Sequence, residues 1–139
     1  DKFGVNYDAM VISAHRNPER IFKFASEAEA DGYEVIVTAA GKAAHLAGVI
    51  AGITPLPVIG IPIKTSFQGG LDSLLSIVQM PSGVPVATVA VNGAENAAVL
   101  AVQILSVKYP ALRDKMKAYK AELNDAVVAK NANLQKRLK

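Results

Sequence analysis

Apolar residues along the chain alternate between two periods, one of a strand and one of a helix. Residues 7–12 carry a mixed apolar run that ends Met10-Val11-Ile12 and predicts a strand. Pro18 follows, well placed at a first helical turn. Ile21, Phe22, Phe24, Ala25 and Ala28 then recur with a period near 3.6, which predicts a helix closed by Asp31-Gly32. Glu34-Val35-Ile36-Val37-Thr38 is short and β-branched, as expected of a strand buried on both faces of a parallel sheet. A helical segment to about Gly52 comes next, with backbone N–H groups near Gly41 to Ala43 placed to face an anion. Residues 57–61 predict a third strand, 71–78 a short helix, and 84–91 a fourth strand. An alanine-rich helix from Ala94 to about Val107 follows the Asn92-Gly93 turn. A long helical pattern over 111–138 closes the chain, with Leu112, Met116, Tyr119, Leu123 and Val127 on one face.

Four strand–helix units in alternation predict an α/β fold with helices on both sheet faces. The expected form is a three-layer αβα sandwich with a parallel, flavodoxin/Rossmann-like sheet. The expected domains are an α/β core over 1–107 and a C-terminal helical extension over 108–139. Asp1-Lys2-Phe3-Gly4 reads as a helix end with a glycine cap, so the core is expected to begin in mid-domain.

Composition narrows the chemistry. The 139 residues suit one sizeable core. The absence of cysteine excludes disulfides, thiolate metal sites and a cysteine nucleophile. Lys and Arg concentrate between 108 and 139, so the net charge of +3 is largely a property of the tail. No folded basic face with interleaved aromatics is evident, which argues against a nucleic-acid partner. No apolar run is long enough to span a membrane, and no secretory signal opens the chain. The expected location is the cytoplasm.

Candidate chemistry centres on Ser13-Ala14-His15-Arg16-Asn17-Pro18, where a predicted strand becomes a helix. In open α/β sheets ligands bind at such carboxyl ends of strands. The second histidine, His45, follows the next strand in the same way. Two histidines without a third clear ligand do not make a zinc site. The Ile61 to Gly70 loop carries adjacent glycines and several hydroxyls and reads as a flap over a site.

Three motifs in order carry a resemblance: Ser13-Ala14-His15-Arg16-x-Pro18, Ala40-Gly41-x-Ala43-Ala44-His45-Leu46-x-Gly48, and Gly70-Leu71-Asp72-Ser73-Leu74-Leu75-Ser76-Ile77-Val78-Gln79-Met80-Pro81. Over about residues 1–107 the chain resembles class I N5-carboxyaminoimidazole ribonucleotide mutase, the PurE family of purine biosynthesis. The resemblance implies moving a carboxylate from a ring-attached nitrogen to carbon 4 of an aminoimidazole ribonucleotide. It implies no metal and no cofactor, CO2 held as an enclosed intermediate, and a homo-octamer. His15 would be the catalytic proton relay. Ser13 and Arg16 would hold the phosphate and ribose side of the substrate. Ala40 and Gly41 would line the base and CO2 pocket, His45 and Leu46 its other wall, and residues 66–70 the covering loop.

Three departures accompany the resemblance. The family's opening strand with its Gly-Ser-x-Ser-Asp phosphate motif is not in this sequence. In the strand order 2-1-3-4-5 that strand would be central. Lys42 stands where the family usually has glycine, and Ala47 where it usually has proline. The competing readings are a direct aminoimidazole ribonucleotide carboxylase that uses CO2, and a catalytically impaired scaffold of the same fold.

Overall fold

The computed structural model describes residues 2–138. The elements run α1 (Pro18–Glu27), β1 (Ile36–Ala40), α2 (Leu46–Ala51), β2 (Val58–Pro62), α3 (Leu71–Val78), β3 (Ala87–Thr88), α4 (Ala94–Leu105) and α5 (Pro110–Arg137). The three strands form one parallel sheet in the order β1-β2-β3. The fold is therefore α/β and flavodoxin-like. The chain divides into two compact units, Asn6–Ala101 and a second made of Asp1–Val5 with Val102–Lys139.

In the larger unit β2 is the axis. Every residue of Val58–Pro62 is buried, which follows from a continuous apolar run with neighbours on both edges. One face of the sheet, carrying Ile36 and Val58, packs against Ile21 and Ala25 of α1, Ala28 at its C-cap, Ala47 and Ile50 of α2, and Ile77 of α3. Gly60 lies on that same face. A side-chain carbon there would meet Ile77 Cγ2 at 2.4 Å, Val86 Cγ1 at 3.2 Å and Ala47 Cβ at 3.3 Å. Glycine is thus what lets α2 and α3 settle onto the middle strand.

Two predicted strands differ in the structure. Residues 7–12 form no strand, and Tyr7 and Val11 are 74% and 94% exposed. A strand exists through its ladder partner. Among the described residues no segment pairs with this one. The Tyr33 hydroxyl instead ties the segment down by donating to Asp8 Oδ2 at 2.7 Å. The fourth strand, expected over 84–91, shrinks to Ala87–Thr88. Gly83 at φ 90° and Pro85, which has no N–H for the ladder, delay its start. Single bonds from Val89 N to Gly60 O (3.2 Å) and Asn92 N to Pro62 O (2.8 Å) carry the pairing on beyond it.

The helix expected to start near Gly41 begins at Leu46 instead, so residues 41–43 lie in the loop ahead of a six-residue helix. That placement removes the anion-binding helix end expected there. Residues 2–3 are a turn, followed by Gly4 at φ 67°; Asp1, the first residue of the expected helix end, lies outside the described residues.

In the smaller unit, Phe3 packs edge-on against Tyr119, Lys2 pairs with Glu122 at 2.6 Å, and Lys115 Nζ donates to Phe3 O at 2.7 Å. Met116 is buried, and Leu112 and Tyr119 are half-buried. The same face continues into Leu123 and Val127, which are exposed.

Candidate active site

The site is built where the chain leaves the 7–12 segment and where it leaves β1. At the first point Asn17 closes a turn on both sides. Its backbone N–H donates to Ser13 O at 3.0 Å, and its Oδ1 accepts from Ser13 N–H at 2.7 Å. Asn17 also occupies the N-cap of α1, yet its side chain makes no bond into the helix. It is spent on the turn. That turn projects residues 14–16, leaving His15 and Arg16 exposed while Ser13 and Asn17 are half-buried.

At the second point Ala40 ends β1, and its carbonyl accepts from Ile63 N–H at 2.9 Å. Gly41 follows against Ile63 and Thr65; a side-chain carbon there would meet Ile63 Cβ at 3.5 Å, an ordinary contact. Lys42 adopts a left-handed conformation at φ 57°. His45 sits at the N-cap of α2, its N–H donating to Ala43 O at 2.9 Å and its carbonyl accepting from Val49 N–H at 3.0 Å. Leu46 begins the helix and packs half-buried against the core.

These two loops bring the two histidines together. His15 Nε2 lies 3.0 Å from His45 Nδ1. The rings meet edge to face, with centroids 5.1 Å apart and planes at 84°. Thirty residues of sequence separate them, and one hydrogen bond joins them.

A third wall comes from the loop after β2. Its base is fixed. Thr65 Oγ1 donates to Asp72 Oδ1 at 2.6 Å, and Ser73 Oγ reaches Ile63 O at 2.7 Å and Gly70 O at 2.8 Å. Lys64 N–H donates to Asn92 Oδ1 at 2.9 Å. Gly70, buried at φ 108°, has Lys64 Cα at 3.2 Å from where a side chain would begin, so this turn needs glycine. Residues 66–69, the tip of the expected flap, are exposed. Ser76 Oγ links α3 to the β1 loop by donating to Asp72 O (2.7 Å) and, at a longer 3.4 Å, to Lys42 O.

Beside His45 an open groove of about 410 Å³ runs between α2 and α3, lined by Gly48, Val49, Leu75, Ser76, Gln79 and Met80. Among the described residues no group of three or more His, Asp or Glu comes together to hold a metal ion. Tyr33 is raised above its ordinary 10.0, chiefly because its hydroxyl donates to the Asp8 carboxylate.

Of the predicted site residues, the structure joins His15 to His45, sets Ser13 and Arg16 on the same turn as His15, and sets Ala40, Gly41 and Leu46 on the loop that carries His45. Sequence reading missed Asn17 as the residue that shapes the turn. Nothing in the sequence shows its side chain turning back to Ser13. It also missed the Thr65–Asp72–Ser73 clamp, in which Thr65 lies seven residues ahead of Asp72 and eight ahead of Ser73.

The family model described as AIR carboxylase matches residues 1–126. N5-carboxyaminoimidazole ribonucleotide mutase of Thermotoga maritima is 54% identical over 135 residues, covering 97% of this chain and 79% of the relative. The Pyrococcus horikoshii protein of the same name is also 54% identical over 135 residues, covering 97% of this chain and 76% of its own length. The crystal structure of Treponema denticola PurE superposes with a TM-score of 0.87 at 29% identity, covering 96% of this chain and 83% of that one. The chain belongs to the AIR carboxylase (PurE) family.

Proposed function

We propose that this protein converts N5-carboxyaminoimidazole ribonucleotide to its carbon-4 carboxylate in purine biosynthesis, with His15 as the proton relay. The observation that carries the chemistry is the His15–His45 pair held at 3.0 Å on two preformed loops. The names of the relatives at 54% identity carry the substrate.

The reaction removes a carboxylate from nitrogen, keeps the CO2, and forms a bond from carbon 4 to it. A proton must reach the departing nitrogen, and another must leave carbon 4. An imidazole suits both steps because it exchanges protons in either direction near neutral pH. His15 stands exposed at the tip of its turn, where a bound ring is reachable. Arg16 beside it offers a planar fork of donors for a phosphate, and Ser13 a hydroxyl. Ala40 and Gly41 present backbone to the base and CO2, and His45 and Leu46 close the far side. The loop at residues 66–70 covers the site, hinged on the clamp at Thr65, Asp72 and Ser73. Enclosure keeps CO2 next to carbon 4, where proximity replaces a bimolecular encounter.

The reading extends to a cytoplasmic homo-octamer. Exposed Leu123 and Val127 on α5 supply apolar surface for contacts between subunits.

The test is turnover of N5-carboxyaminoimidazole ribonucleotide without ATP by the full-length protein and by His15→Asn. Wild type should turn over. The variant should lose on the order of 10²–10⁴-fold in kcat while still binding the nucleotide by calorimetry. Full activity in His15→Asn rejects the relay. Turnover of aminoimidazole ribonucleotide with bicarbonate, but not of the N5-carboxy substrate, rejects the mutase in favour of a direct carboxylase.

A further inference from the structure

We infer that the ammonium of Lys42 binds the carboxylate that the reaction moves, so that the site holds the carboxylated aminoimidazole ribonucleotides in preference to the uncarboxylated one. The inference rests on the proposed function and deepens it, because it gives a specificity role to a residue that the function leaves unused.

Lys42 stands in the loop that leaves the carboxyl end of β1, between Gly41 and His45. That loop touches the next one. Ala40 O accepts from Ile63 N–H at 2.9 Å, and a side-chain carbon on Gly41 would meet Ile63 Cβ at 3.5 Å and Thr65 Cγ2 at 3.7 Å. From α3, Ser76 Oγ donates to Lys42 O at 3.4 Å. The backbone that carries the lysine is therefore held by β1, by the loop after β2 and by α3.

Its conformation is costly and nothing in the fold offsets the cost. At φ 57° Lys42 is left-handed, a region where a side chain crowds the backbone and glycine does not. The residue is exposed, so packing does not compensate. Pairing does not either: among the described residues the Lys42 ammonium has no hydrogen bond and no ion pair. The acid on the neighbouring wall, Asp72, is engaged by Thr65 Oγ1 at 2.6 Å and Ser73 N–H at 2.9 Å. A strained residue with a full, unpaired charge at the edge of a site is accounted for by what binds there.

The proposed reaction says what that is. Ser13 and Arg16 face the phosphate, and Ala40 and Gly41 face the base and CO2. Lys42 adjoins Gly41 and so stands at the carboxylate end. Substrate and product both carry the carboxylate, one on nitrogen and the other on carbon 4. Aminoimidazole ribonucleotide with free CO2, between them, carries none. A compact ammonium on a flexible four-carbon stem is able to follow the group from one attachment point to the other, where a rigid fork is not. The contact exists in both end states and is lost in the middle. It therefore strengthens binding of the carboxylated nucleotides without speeding the chemical step.

The experiment is calorimetry of the full-length protein with 4-carboxyaminoimidazole ribonucleotide and with aminoimidazole ribonucleotide, alongside turnover of the N5-carboxy substrate. Wild type should bind the carboxylated nucleotide more tightly. Lys42→Gln keeps the stem and removes the charge. It should weaken the carboxylated nucleotide about 10-fold, the order for one hydrogen bond to a charged group, and leave the uncarboxylated one within about twofold. KM should rise by a similar factor, with kcat changed less. Lys42→Arg keeps the charge and should keep most of the preference. Lys42→Gly relieves the left-handed backbone, so a merely structural role predicts binding as good as wild type; loss of the carboxylate preference is the result expected here. An equal loss for both nucleotides in Lys42→Gln, the pattern of a phosphate contact, overturns the inference. So does a preference that survives in Lys42→Gln and Lys42→Gly while wild type turns over normally. If wild type turns over no N5-carboxy substrate, the proposed function fails, and the calorimetric ratio still decides whether Lys42 reads a carboxylate. If wild type binds neither nucleotide, both fall.

Discussion

Gly60→Ala places one methyl group at the point where three elements converge. The new carbon would sit 2.4 Å from Ile77 Cγ2, about 1 Å inside the ~3.5–4.0 Å optimum for carbon contacts. Ile77 is 0% exposed and has no room to swing out. Val86 and Ala47 stand at 3.2 and 3.3 Å on the other sides. Overpacking of a closed core costs about 1–3 kcal/mol. Replacing glycine by alanine would by itself return roughly 0.4–1 kcal/mol by narrowing the unfolded ensemble. The clash is the larger effect, and the net loss should be about 1 kcal/mol. It should appear in urea unfolding as a lower midpoint at unchanged slope.

The cause is separable by a cycle with Ile77→Ala. That variant alone should lose about 2–5 kcal/mol through the cavity it leaves. In the double variant the methyl of residue 60 enters that cavity, so the losses should fall short of additivity by about 1–2 kcal/mol. Additive losses would refute the claim that Gly60 is there to admit Ile77. The variant also bears on the site. Ala47 lies on the helix whose N-cap is His45, so pushing α2 outward lengthens the His15–His45 bond. Gly60→Ala should therefore reduce kcat at temperatures where it is still folded.

Three further outcomes follow from single contacts. Lys42→Gly should raise stability by up to about 1 kcal/mol in the same urea assay, because relief of a left-handed residue, worth about 1–2 kcal/mol, exceeds the entropic cost of glycine. Asn17→Ala frees the Ser13 N–H and should cost about 1 kcal/mol; kcat should drop with it as the His15 turn loosens. Tyr33 is held above its ordinary 10.0 by donating to Asp8, so the folded chain binds that proton more tightly than the unfolded one. The stabilisation is complete below pH 10.0 and is lost as pH rises through the raised value. The stability gap between wild type and Tyr33→Phe, measured by thermal melts, should close on that alkaline side and stay constant below it.

Much of the fold was legible because local signals agreed with the tertiary outcome. Pro18 marks the start of α1, and Leu71–Val78 forms the helix its pattern predicts. The β-branched run after Glu34 is a strand because it has a partner. The Tyr7 to Ile12 run has the same apolar character and is not a strand, because pairing is a property of two segments and a sequence shows one. The shortened β3 was partly legible in Pro85, whose missing N–H is a local fact.

The site divides along the same line. His15, Arg16, Ala40, Gly41 and His45 stood out because residue type and strand-end position are local. What aligns them is not local. Asn17 stands at the N-cap of α1 and serves instead as the clasp of the preceding turn. Thr65, Asp72 and Ser73 looked like ordinary polar residues of a loop and a first helical turn, and they fix the base of the covering loop. Lys42 has the least favourable backbone of the group, and it lies between Gly41 and His45, held in part by the bond from Ser76 on α3. Of these contacts the Ser76 bond to Lys42 joins the connection after β2 to the loop after β1, and the others fix a single turn or loop. The two rings therefore meet through an Asn17-clasped turn on one side and the loop that follows β1 on the other, and polar contacts, not local sequence, hold each in place.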